Sequence, residues 1–75
     1  MLIRTQNMEG LIDAVAVYIV WMNNENRAKI TGDIAGQAKG NFILGYYADR
    51  ELATNELDDI MTYFLQYPNG IYQMK

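Results

Sequence analysis

The chain has 75 residues, 51% of them apolar and 20% charged, with a formal net charge of −3. Those proportions belong to a folded globular chain, and the length is that of one domain, residues 1–75. Cysteine, histidine and serine are all missing, which removes disulfides, thiolate metal sites, the commonest general base, the commonest zinc ligand and two of the usual nucleophiles.

Met1–Asn7 lacks the charged segment and apolar run of a signal peptide. The longest uncharged stretch, Ala14 to Asn24, is too short to span a bilayer. These features lead us to expect a cytoplasmic protein with no membrane partner. Residues 1–40 balance four basic groups against four acidic ones, whereas residues 41–75 carry two basic and five acidic groups. The acidic excess therefore falls on the C-terminal part, and no basic footprint for nucleic acid is visible.

Met1 to Gln6 reads as a short first strand and Asn7 to Gly10 as a turn. Leu11 to Met22, LIDAVAVYIVWM, is rich in β-branched and aromatic residues and apolar in both alternation frames. Such a strand is central and covered on both sides. In so small a domain the second cover is expected from another subunit, giving a homo-oligomer, most simply a dimer. A core this small supplies only about 3–5 kcal/mol, which points the same way.

Asn23–Asn26 is a turn. From Arg27 the alternation is clean, with Arg27, Lys29, Thr31 and Asp33 on a wet face and Ala28, Ile30, Gly32 and Ile34 on a buried one. AGQAKGN interrupts the pattern, and FILGYY resumes it as a fourth strand. Turns this short join antiparallel neighbours.

In LGYYADRELATNEL, residues 44–57, Asp49 stands at an N-cap position and Glu51 answers the helix dipole. Ala53, Leu57, Ile60, Met61, Phe64 and Leu65 form one apolar stripe, and Glu56 and Asp58 are expected to face water. Pro68 stops the helix near Gln66. Ile71 to Met74 is a last short strand or an ordered tail. The fold expected is α+β: an antiparallel sheet of four to five strands with one amphipathic C-terminal helix packed on a face.

Gly32, Gly36 and Gly40 with Lys39 do not make a phosphate loop, because Lys39 is followed by glycine and a strand rather than by Ser or Thr and a helix. They read as turn and strand-end glycines. The acids Asp49, Glu51, Glu56, Asp58 and Asp59 lack the glycine and the spacing of a calcium loop, so they read as a cap and a helix surface. No catalytic, cofactor-binding or metal-binding residue is assigned, and a non-enzymatic role is expected.

Six tyrosines and one tryptophan remain. Tyr46 and Tyr47 are adjacent on a strand and must point to opposite faces. Tyr46, Tyr63, Tyr67 and Trp21, with Asp58 and Asp59, are the candidate interaction surface, since rigid rings with polar tips suit interfaces. The alternative is a small-ligand pocket between helix and sheet lined by Tyr18, Trp21 and Tyr47.

Ile3, Arg4 and Gln6; Leu11 and Asp13; Leu44, Gly45 and Tyr47; Glu51, Ala53, Leu57 and Ile60; and Tyr72 with Met74 together resemble the pattern of a group of small uncharacterised proteins from Firmicutes and their phages or prophages. The likeness spans most of the chain, with Lys75 in place of the group's terminal proline and an atypical middle hairpin. It implies a small α+β fold and a bacterial or phage origin. The function expected is that of a protein-interaction protein, and in a phage setting its sharper form is a modulator that inhibits a host or defence protein through the acidic helix. The likeness brings no site residues with it.

Overall fold

The computed structural model describes residues 1–37 and 42–75. In chain order these form β1 (Leu2–Arg4), β2 (Leu11–Met22), β3 (Arg27–Ile34), β4 (Phe42–Tyr47), α1 (Arg50–Gln66) and β5 (Ile71–Gln73). One five-stranded sheet has the order β4-β3-β2-β1-β5, and α1 packs across one of its faces. The α+β expectation holds, and β2 is central as its two apolar frames suggested. The sheet is mostly antiparallel, as expected, but β5 pairs parallel with β1, Ile3 lying beside Tyr72. The long helical connection allows this, since parallel strands need a crossover rather than a turn. Among the described residues no helix is long and apolar enough to cross a membrane.

Alternation sets the two faces. Ile19 and Trp21 on β2 pair with Ile30 and Ala28 on β3, and Ala28 in turn pairs with Tyr47 on β4. These side chains point toward α1. Ile3, Ala14, Ala28, Ile30, Leu44, Ala53, Ile60, Tyr72 and Met74 are buried together, with Leu57, Tyr63 and Phe64 packed against them. A bulge between Ala14 and Ala16 re-phases β2, which keeps both Ala14 and Val17 on the helix side. The face away from the helix carries Leu2, Asp13, Val15, Ala16, Tyr18, Val20 and Met22, with no second layer among the described residues. Within the described residues β2 is therefore covered on one side, by the helix.

Asp49 caps α1 as expected, its Oδ1 accepting the Leu52 N–H at 2.8 Å. At the far end the Tyr67 N–H donates to Tyr63 O (2.8 Å), and the Pro68 turn follows. Gly36 adopts a positive φ of 78°, as a turn glycine can, while Gly32 lies inside β3. Lys39 and Gly40 lie outside the described residues.

The helix presents a different stripe from the one its spacing suggests. Ala53, Glu56 and Ile60 are its buried residues. Met61 and Leu65, expected in the core, are 59% and 78% exposed. The sheet seats α1 along the line 53–56–60, so the far side of the apolar stripe overhangs the sheet and reaches solvent.

Candidate functional site

The position that departs most from expectation is Glu56. It is only 4% exposed, one turn from Ala53 and one from Ile60. Burial of a carboxylate is tolerable only when donors satisfy it. Here Oε1 accepts the Tyr72 hydroxyl (3.1 Å) and Oε2 accepts the Lys75 N–H (2.7 Å). The Lys75 carbonyl in turn accepts the Tyr47 hydroxyl (3.0 Å) and the Gln6 Nε2–H (2.9 Å). Helix, last strand, fourth strand and the segment after β1 thus meet at one polar knot.

Gln6 does more than join this knot. Its backbone N–H donates to Leu44 O (2.8 Å), its Nε2 donates to Tyr46 O (3.1 Å), and its Oε1 accepts the Tyr46 N–H (2.8 Å). The side-chain amide occupies the outer edge of β4 much as a neighbouring strand would. Gly45 makes room for it. A Cβ at that position would lie 2.9 Å from the Tyr47 hydroxyl and 3.1 Å from Gln6, closer than carbon is accommodated. The burial of Glu56 and its two donors correct the reading of it as a water-facing residue.

Burial pushes the Tyr47 and Tyr72 hydroxyls well above the ordinary tyrosine value of 10.0, and the charge of Glu56 adds to the effect. Both remain neutral donors through the neutral range. The knot positions structure: each carboxylate oxygen of Glu56 already has a donor, and the nearby hydroxyls hold their protons.

On the flank of the helix, Leu57, Met61 and Leu65 follow at intervals of four. With Met1, Val17 and Phe64 they line a groove of about 420 Å³, in which Asp58 is the one charged side chain among the described residues. The Asp58 carboxylate is exposed and no side chain of the described residues pairs with it.

The anticipated interaction residues are dispersed. Tyr46 lies on the open face with the Arg27 guanidinium 4.1 Å above its ring, and Trp21 is partly buried on the helix side with Arg50 5.1 Å above it. Tyr63 joins an aromatic cluster, its ring 5.1 Å from Phe64, 5.2 Å from Tyr67 and 5.4 Å from Tyr72. Tyr67 is exposed at the edge of that cluster. Asp59 pairs with Lys75 Nζ at 2.7 Å, while Asp58 alone lines the groove. Tyr46 and Tyr47 do point to opposite faces, as alternation requires.

The ligand pocket of Tyr18, Trp21 and Tyr47 does not form. Trp21 and Tyr47 flank Ala28 on the helix side, but Tyr18 pairs with Thr31 on the open face and donates to Asp33 Oδ1 at 2.8 Å. Their odd spacing along β2 already separates Tyr18 from Trp21. Among the described residues no group of three or more acidic side chains could hold a metal ion.

Glu56 and Gln6 were missed because each acts through partners far away in sequence, 16 to 69 residues distant. The 53–56–60 spacing was the available signal, since it places a carboxylate between two small or aliphatic core positions. No family model matches the chain, and neither a curated protein nor a solved structure matches it.

Proposed function

We propose that this chain is a non-enzymatic protein-interaction module that binds an apolar, basic-flanked segment of a partner protein along the groove beside α1. The observation that carries the reading is the exposure of Met61 and Leu65 at 59% and 78%, on a helix whose opposite line is fully seated. Exposed apolar ridges of this kind mark contact surfaces. Unbranched methionine adapts to a partner's shape, and Asp58 offers a charge for a basic residue at the rim.

Three of the six basic groups are engaged within the chain, Arg27 with Glu25, Lys75 with Asp59 and Arg4 with the Met8 carbonyl, and those that remain do not form a basic cluster in the sequence. This supports a protein partner over nucleic acid. In a phage setting the partner would be a host protein, a sharper form that rests on the sequence resemblance alone.

The test compares baits in a lysate of the source cell. Native protein should recover one stoichiometric partner, and Leu65→Asp, at an exposed position that keeps the melting temperature, should lose it. Equal recovery by both baits, or by neither, overturns the proposal.

A further inference from the structure

Beyond the helix flank, we propose that the open face of the sheet is covered by a second copy of this chain, stacked face to face about a two-fold axis that lies between the sheets, perpendicular to the strands, near Ala16. Three observations lead there.

Along β2 and at the β1 and β5 rim the face is apolar where a solvated sheet would alternate, whereas β3 lays Arg27, Lys29, Thr31 and Asp33 across it. Leu11 is 55% exposed, Val15 60% and Ile71 54%, while Tyr18, Val20 and Met22 are half-buried along the same strand. A half-solvated antiparallel sheet ordinarily alternates apolar with polar.

Association through the sheet edges is blocked. The Gln6 amide occupies the edge of β4, and β5 at the other edge has only three residues, both of which are devices that discourage strand addition. The two longest extents of the molecule, 36 and 26 Å, bound any face it can offer, and a standard stable interface takes about 800 Å² per partner.

Charge is distributed so that the face complements itself. Lys29, next to Val20 across the β2–β3 ladder, has no ion-pair partner among the described residues, and Asp13, which meets the Met1 ammonium at 3.2 Å through one oxygen and stays largely exposed, lies seven residues before Val20 on β2. The proposed axis reverses the strand direction and leaves the lateral strand order in place. Asp13 of one copy then lies over Val20 of the other, with Lys29 one strand away, about 5 Å and within reach of its long side chain. The same operation lays the Tyr18 ring over Val15 of the second copy, and Ala16 at the axis is small enough to allow close approach. A two-fold axis makes each contact occur twice.

Light scattering and sedimentation of the full chain test this. The expected species has twice the 8.6 kDa mass of the chain. Val15→Asp, at a position already exposed in one copy, should give a monomer with an unchanged far-UV circular dichroism spectrum. Asp13→Lys and Lys29→Asp should each weaken dimerisation about tenfold or more, and the double reversal should restore it. Leu65→Asp should leave the dimer intact. A monomer persisting to about 1 mM overturns the proposal, as does a dimer unaffected by Val15→Asp, one dissociated by Leu65→Asp, or one that ignores both single reversals.

Discussion

The two faces of this sheet are similarly apolar along β2 and differ along β3, whose outward side chains are Arg27, Lys29, Thr31 and Asp33. Toward the helix stand Ala14, Ala28, Gly32 and Leu44, packed so closely that a Cβ on Gly32 would lie 3.4 Å from Leu44 and 3.5 Å from Ala14. Away from it stand Val15, Tyr18, Val20, Met22 and Tyr46. Hydropathy alone does not separate the faces of β2, and neither does size, since Ala14 lies toward the helix and Ala16 away from it. The neighbouring strand does, with Ala28, Ile30 and Gly32 of β3 toward the helix and charged or polar residues away from it. On α1 the seated line carries Ala53, Glu56 and Ile60, and Met61 and Leu65 are left outside.

The comparison breaks most visibly at Ile30, which is fully buried on the covered face. Ile30→Ala should cost about 2–5 kcal/mol, a large share of the stability of a chain this size, and urea unfolding should show it at any protein concentration. Gly45→Val should follow, at about 1–3 kcal/mol, since the added atoms meet the Tyr47 hydroxyl and Gln6. Its signature in hydrogen exchange would be early loss of protection at Tyr46.

Glu56→Ala removes the acceptor for both Tyr72 and Lys75, leaving buried donors unsatisfied at a cost of about 1–3 kcal/mol. Thermal unfolding measures the loss, and Glu56→Gln, which keeps an acceptor, should lose less. The same knot makes a prediction about pH. The folded-state values of Tyr47 and Tyr72 are raised, so their contribution to stability is complete below pH 10.0, the ordinary value, and is lost as pH rises above it. Tyr47→Phe with Tyr72→Phe should flatten that alkaline decline, as seen in melting temperature against pH.

The smallest effect belongs to the open face. Val15→Ala should change stability by less than about 0.5 kcal/mol in dilute solution. The penalty should grow with protein concentration where copies pair, whereas that of Ile30→Ala should not. Melting curves at two concentrations separate the two faces.

Much of this architecture was legible in the sequence, and the reasons are local. The bounds of β2, β4 and α1 follow from runs of β-branched residues, from turn dipeptides, and from Asp49 and Pro68, all of which act within a few residues. What was not legible depends on distant neighbours. The direction of β5 is decided by how the helix returns the chain to β1. The seated line of α1 is decided by where the sheet leaves space, so Glu56 moved inward and Met61 and Leu65 outward. The need for glycine at position 45 is likewise set at a distance, by Gln6 and the Tyr47 hydroxyl.

The pairing of β1 with β5 has a consequence for time rather than for energy. It joins residues 2–4 to residues 71–73, among the widest sequence separations in the sheet. Without it β1 is a three-residue strand held from one side. Contacts between distant segments slow the search for the native state, while the β2–β3–β4 meander needs only local turns. During synthesis β1 can join the meander through its hairpin with β2, and Gln6 can close on β4, while the outer edge of β1 and the Gln6–Lys75 contact wait for the last strand.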